Sequence, residues 1–288
     1  MRVEIEPGVH LFFDIDGASL VPDEASPGTL REKPTLVLLH GGPGMDHSGW
    51  KPRITPLAEV AQLVYYDHRS HGRSDRRPRD EWTLDQWADD IVRLCKALDI
   101  HRPIVFGQSF GGMVAQRYIA RHPQHPSKVI LSSCSPHFGL ERKLAAFERL
   151  GGAEAREVAR AYWVDPSPAA FDAYLRVCMP LYSATPQADR SAAQPMSAAA
   201  FDSEMLDTWS RDELPQVALL PGLARAACPV LVIGGADDPV TPIEDQRDIA
   251  AALPREWVRF VEFPKAGHGV WRDEPQQAMA LLREFITG

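Results

Sequence analysis

The residues that could do chemistry begin with Gly107-Gln108-Ser109-Phe110-Gly111, the single G-x-S-x-G pentapeptide in the chain. It stands where the apolar run PIVFG gives way to the helical run FGGMVAQRYIARH, the strand-turn-helix setting in which such a serine is exposed as a nucleophile. A serine on so sharp a turn is held in strained dihedrals, and its neighbours two positions away must be small enough not to strike adjacent elements. Gly107 and Gly111 meet that condition. An ordinary hydroxyl is a poor nucleophile and needs a base; His268, in the loop PKAGHG after the last expected strand, is the candidate. The base needs an orienting carboxylate in turn. Asp238 follows the run PVLVIGG in a G-x-x-D arrangement, with Asp237 as its rival. Asp238 is preferred because adjacent side chains point apart and a strand-end loop presents only one of them to the imidazole.

Acyl transfer also needs donors aimed at the oxyanion that develops. His40-Gly41-Gly42-Pro43-Gly44 follows the run TLVLLH, and its glycines let backbone N–H groups approach the nucleophile; the expected donors are the N–H groups of Gly42 and Phe110. A glycine-rich loop can instead cradle phosphate, but the P-loop lysine is missing and the G-x-G-x-x-G spacing fails. The ten histidines raise the question of a metal, above all His68 and His71 in Asp67-His68-Arg69-Ser70-His71-Gly72-Arg73-Ser74. An i, i+3 pair bracketed by arginines lacks the carboxylates of a divalent site, and no H-E-x-x-H is present. The segment reads as a loop turned by Gly72 and fixed by hydrogen bonds of Asp67 and Arg69. No metal and no cofactor are expected.

These groups must be carried by strands. Residues 35–40, 62–67, 103–107, 128–132, 229–234 and 258–263 are short, nearly continuous apolar runs that suit central strands buried on both faces. They alternate with helical stretches, the pattern of a mostly parallel sheet flanked by helices. Residues 9–15 alternate as an antiparallel edge hairpin does, and 16–33 reads as a polar loop. Residues 83–98 open on a T-x-x-Q capping box, Thr83 and Gln86, and place Leu84, Trp87, Ile91, Leu94 and Leu98 on one face. A helix over 243–253 is expected with Thr241 as N-cap and Glu244 as its partner, and one from Pro275 with Ala278, Leu281, Leu282 and Phe285 inward. Residues 136–223 break the rhythm and read as an inserted helical cap, leaving 1–135 and 224–288 as the core. Its aromatics, among them Trp163, Tyr182 and Trp209, exceed what a surface excursion requires; they pack the cap's own small core, and some line an apolar substrate pocket.

With 288 residues, 44% hydrophobic and 24% charged, the composition is that of a soluble globular protein. A net charge of -8 lacks the basic footprint that nucleic acid requires. No run approaches the roughly 18 apolar residues of a membrane span, and the N-terminus MRVEIEPG has no signal-like apolar stretch. Cytoplasmic residence is therefore expected. Cys95, Cys134, Cys178 and Cys228 are widely spaced and read as buried, reduced thiols. Composition leaves association into a homo-oligomer open.

With HGGPG, DHRSHGRSD, GQSFGG, GGADDPVTP and AGH in this order, the sequence resembles the α/β-hydrolase superfamily over nearly its whole length. HGGPG and D-x-R-x-x-G-R-S are similar to its proline iminopeptidase branch. The resemblance implies an eight-stranded sheet, a cap after the sixth strand and a cofactor-free acyl hydrolase, and it carries over to Ser109, Asp238, His268, Gly42 and Phe110. Two features depart from that branch: Phe110 stands where tryptophan is usual, and the cap stretch Arg176–Tyr182 offers no acid to grip a substrate amine. The expected function is hydrolysis of an ester or amide in a small molecule or short peptide. The alternatives are a true proline iminopeptidase and, in a different class, a non-catalytic receptor on the same fold.

Overall fold

The computed structural model describes residues 1–23, 25–165, 167–185 and 201–288. Its main sheet has eight strands in the order β1-β2-β6-β5-β7-β8-β9-β10. The first two, β1 (Arg2–Glu6) and β2 (Val9–Asp16), form an antiparallel edge hairpin, and Val9, Leu11 and Phe13 of β2 alternate inward. From β6 (Gln62–Tyr66) through β5 (Thr35–Leu39), β7 (Ile104–Gln108), β8 (Lys128–Ser132) and β9 (Val230–Gly235) to β10 (Val258–Phe263), every pairing is parallel. Each expected central strand is present to within one residue at either end. The reason is packing on both faces: along β7, Val105 joins one apolar cluster while Ile104 and Phe106 join the other.

Residues 16–33 are not only loop. They contain a small separate hairpin, β3 (Leu20–Pro22) with β4 (Leu30–Glu32). Neither strand buries a face, so no apolar alternation marks it.

Helices α1 (Leu84–Ala97) and α2 (Phe110–Arg121) cover one side of the sheet, and α9 (Pro275–Thr287) covers the other. Thr83 caps α1 by accepting from the Gln86 N–H at 3.2 Å, but Gln86 does not reach back as a capping box would; its amide donates to Asp90 at 3.1 Å. In α9 the inward residue of the last turn is Ile286 rather than the half-buried Phe285. The four cysteines are buried and unpaired.

Between β8 and β9 lie α3 (Leu140–Val164), α4 (Pro168–Val177), α5 (Ser203–Thr208) and α6 (Leu220–Leu223). This insert is built in two ways. Its first part closes a small core of its own around Leu144, Phe147, Ala155, Ala159, Tyr174 and Cys178, whereas Met205, Trp209, Leu214, Leu219 and Leu223 belong to the main core beneath. Remaining elements are α7 (Ile243–Ala252) and α8 (Val270–Asp273). Among the described residues no helix is long and apolar enough to cross a membrane.

Candidate active site

The chain leaves β5 to run outward through β6 on one side, then returns to build β7 on the other, so the loops after β5 and β7 diverge at a switch point, the place where open α/β sheets bind ligands. Ser109 follows β7 there. Its φ of 55° and ψ of -118° are dihedrals that a serine adopts only under constraint. The constraint is visible: Ser109 N–H donates to Ser132 O at 3.0 Å on the neighbouring strand, while its carbonyl accepts from Gly112 and Met113 in α2. Gly107 and Gly111 are required by contact. A Cβ on Gly107 would lie 2.3 Å from Gly111 O, and one on Gly111 would lie 2.2 Å from Leu39 O.

His268 sits in the loop after β10 and Asp238 in the loop after β9. His268 Nδ1 and Asp238 Oδ2 are 2.8 Å apart, and both residues are buried. Asp238 also accepts from Val240 N at 2.8 Å, Thr241 N at 2.9 Å and Thr241 Oγ1 at 2.6 Å. Burial opposes its charge, but the facing imidazole and these donors outweigh it and hold the carboxyl below its ordinary range. The rival Asp237 turns away to pair with Arg149 at 2.6 Å. Thr241, expected as a helix cap, is instead the hydroxyl that bonds Asp238; Pro242 precedes α7 and no side chain caps it. The cap position falls one residue later than expected, at Pro242, and the Thr241 hydroxyl donates to the carboxylate in a charge-assisted bond.

Ser109 and His268 line one cavity of about 330 Å³, together with Gly41, Gly42 and Phe110. Gly42 has a φ of 124°, open to glycine alone, and Phe110 opens α2, where the first N–H groups have no acceptor within the helix. Trp163, Tyr182 and Trp209 line the same cavity. Trp209 does a second job, packing at 5.2 Å from Phe110 and 5.6 Å from Trp87 in the main core. Tyr182 also touches the imidazole loop. Its carbonyl accepts from His268 N–H at 2.7 Å, and Gly267 permits this, since a Cβ there would lie 2.4 Å from that oxygen.

The segment Asp67–Ser74 is scaffold. Asp67 accepts from His47 Nδ1 at 2.6 Å, His47 N at 2.9 Å and Arg73 N at 2.9 Å. Arg69, buried, grips Asp90 with two 2.7 Å bonds and also bonds Glu81 and Glu6. Gly72 has a φ of 51°, and a Cβ there would strike Asp67. His68 and His71 are buried with His40 around Phe110, ring against ring at 4.4 to 5.8 Å. Burial holds the pKa of all three low, His71 down to about 3.

Comparison with known proteins agrees with this architecture. The family described as alpha/beta hydrolase fold matches residues 34–275. A proline iminopeptidase, PfmaB, of Pestalotiopsis fici is 28% identical over 286 residues, covering 96% of this chain and 98% of that protein. A putative carbamate hydrolase, RutD, of a Caulobacter species is 27% identical over 258 residues, covering 88% and 90%. Among solved structures, the proline iminopeptidase of Mycobacterium smegmatis superposes with a TM-score of 0.74 at 24% identity, covering 100% of this chain and 97% of that one. An esterase from Exiguobacterium antarcticum gives 0.74 at 19% identity, covering 100% and 99%.

Proposed function

The chain belongs to the α/β-hydrolase family, and from that premise we propose that it is a serine hydrolase that cleaves an ester or amide of a small substrate through an acyl-enzyme, with residues 136–223 as a cap over the site. The observation that carries this reading is the buried Asp238–His268 pair, 2.8 Å apart, on the same cavity as the strained Ser109. Ser109 Oγ adds to the substrate carbonyl carbon while His268 Nε2 takes its proton. Asp238 stays ionised, fixes the Nδ1–H tautomer and stabilises the imidazolium. The N–H groups of Gly42 and Phe110 receive the oxyanion, each such donor being worth about 3 kcal/mol. As the bond to the leaving group breaks, His268 returns the proton to the departing alcohol or amine, leaving the acyl group on Ser109. Water then adds with His268 as base, and collapse gives the carboxylic acid and restores the serine.

Ser109→Ala is expected to cut turnover of a p-nitrophenyl ester by about a thousandfold or more with unchanged thermal unfolding, and to abolish labelling by a fluorophosphonate. A folded variant that still hydrolyses the ester at the parental rate defeats the reading.

The 28% identity to a proline iminopeptidase over nearly the full chain supports a second reading, removal of an N-terminal residue from a peptide. That reaction needs an acid for the substrate's amine. Asp202 and Glu204 in the insert are engaged by Arg76 and Arg79. Hydrolysis of proline p-nitroanilide with rejection of its N-acetyl derivative decides for this reading; equal handling of the two decides against it.

A further inference from the structure

Lys143 on α3 is the residue in this cavity that hydrolysis alone does not explain. It lines the cavity and is only 4% exposed. A lysine this deep is rare unless its charge has a partner. Its ammonium has three donors. Among the described residues, the acceptors it meets are the carbonyl of Val240 and the face of Trp163, whose ring centre is 5.4 Å from Nζ. One N–H is left over, and the side chain borders the substrate space. Burial lowers the pKa of Lys143; the nearby Asp245 and Asp238 only partly oppose this, and each is already bonded: Asp238 by His268 and Thr241, Asp245 by Ser135 Oγ at 2.6 Å and Arg142 at 2.9 Å. Trp163 adds a second unspent donor, because its indole N–H is buried and meets no acceptor among the described residues. The cationic lining of the cavity points the same way, since Arg272 borders it as well as Lys143.

Resting on the serine hydrolase reading, we infer that Lys143 is the anchor for a carboxylate on the substrate, so that the preferred substrates are esters or amides of molecules that carry a free carboxylate away from the scissile bond. The anion completes the ammonium's hydrogen bonding inside a largely apolar cavity, where a charge-assisted bond is strong and a neutral group of the same size leaves the donor unmet. Because Lys143 also holds Val240, two residues from Asp238, the same ammonium ties substrate recognition to the loop that orients the base.

The test compares the mono-4-nitrophenyl esters of adipate and suberate, with the far carboxylate free, against the same compounds with that carboxylate methylated. The wild-type protein is expected to favour at least one free carboxylate by tenfold or more in kcat/KM, through KM, and Lys143→Met is expected to bring that ratio close to one. Equal use of free and methylated forms by the wild type overturns the inference without any variant, and a ratio that survives Lys143→Met overturns it as well. Calorimetric binding of monomethyl suberate to Ser109→Ala, and to Ser109→Ala carrying Lys143→Met, reads the anchor without turnover. A tenfold or larger loss of affinity on removing the lysine supports it, and equal affinity refutes it. Absence of turnover with both esters and both chain lengths, alongside lysine-dependent binding, would condemn the hydrolase reading and leave the anchor standing.

Discussion

Asp67 and Asp238 each bury a carboxylate against an imidazole Nδ1, at 2.6 Å to His47 and 2.8 Å to His268. Each also accepts two backbone N–H groups. The pairs differ in what surrounds the imidazole. His47 is stacked 5.4 Å from Phe12, while His268 borders the cavity that Ser109 also borders. A hydrogen-bonded aspartate and histidine are therefore not a catalytic signature in themselves. The same pair braces a loop where the imidazole does not line the cavity, and it can move protons where the imidazole borders a space shared with a nucleophile.

Substituting one aspartate at a time separates the two roles. Asp238→Asn is expected to lower kcat by about 10⁴-fold, because the amide favours the wrong tautomer; a loss below tenfold would put His268 on the same footing as His47. Asp67→Asn should spare the rate and cost stability alone. Breaking a buried pair costs about 3 kcal/mol, read as a lower urea midpoint, with kcat of the folded fraction within about twofold of the parent. Equal damage to kcat would show that the scaffold pair takes part in the reaction.

Acid should strike the scaffold first. His40, His68 and His71 are neutral in the folded chain, their pKa values held by burial below the unfolded value of 6.5. Below about pH 6.5 the unfolded chain takes up protons that the folded chain refuses, so stability falls by about 1.4 kcal/mol per pH unit for each histidine involved. The contribution of Asp67 and Asp238, whose carboxyls are held low, is lost only below their ordinary 3.8. Urea midpoints at pH 7.5, 6.0 and 5.0 check this, and a flat profile contradicts it. Two smaller effects sharpen the contrast. Thr241→Val, removing the hydroxyl on Asp238, should cost about tenfold in kcat, roughly one hydrogen bond to a charged group. Asp237→Asn, which loses only the exposed ion pair with Arg149, should change stability by less than about 0.5 kcal/mol and kcat not measurably.

The sheet was legible because runs such as TLVLLH and KVILS are apolar on both faces, and the serine elbow because Gly107 and Gly111 flank a strand-to-helix junction. What stayed hidden was set by competition in three dimensions. The hairpin β3–β4 has no buried face to mark it. Thr241 and Gln86 carry the chemistry of helix caps, yet each donates instead to a carboxylate three or four residues away, Asp238 and Asp90. Lys143 carried a signal that composition obscured. It stands three residues after Leu140 and four before Phe147, on the apolar stripe of α3 where a solvated lysine has no place.

The bond from His268 N–H to the Tyr182 carbonyl joins the histidine's loop to the insert through main chain rather than side chain. Ser183 Oγ and Ala184 N–H reinforce the joint by bonding Asp273, which also receives Gly267 N–H. An outward movement of residues 179–184 would have to break the Tyr182–His268 main-chain bond, so the position of that stretch and the position of the loop that carries His268 are mechanically linked.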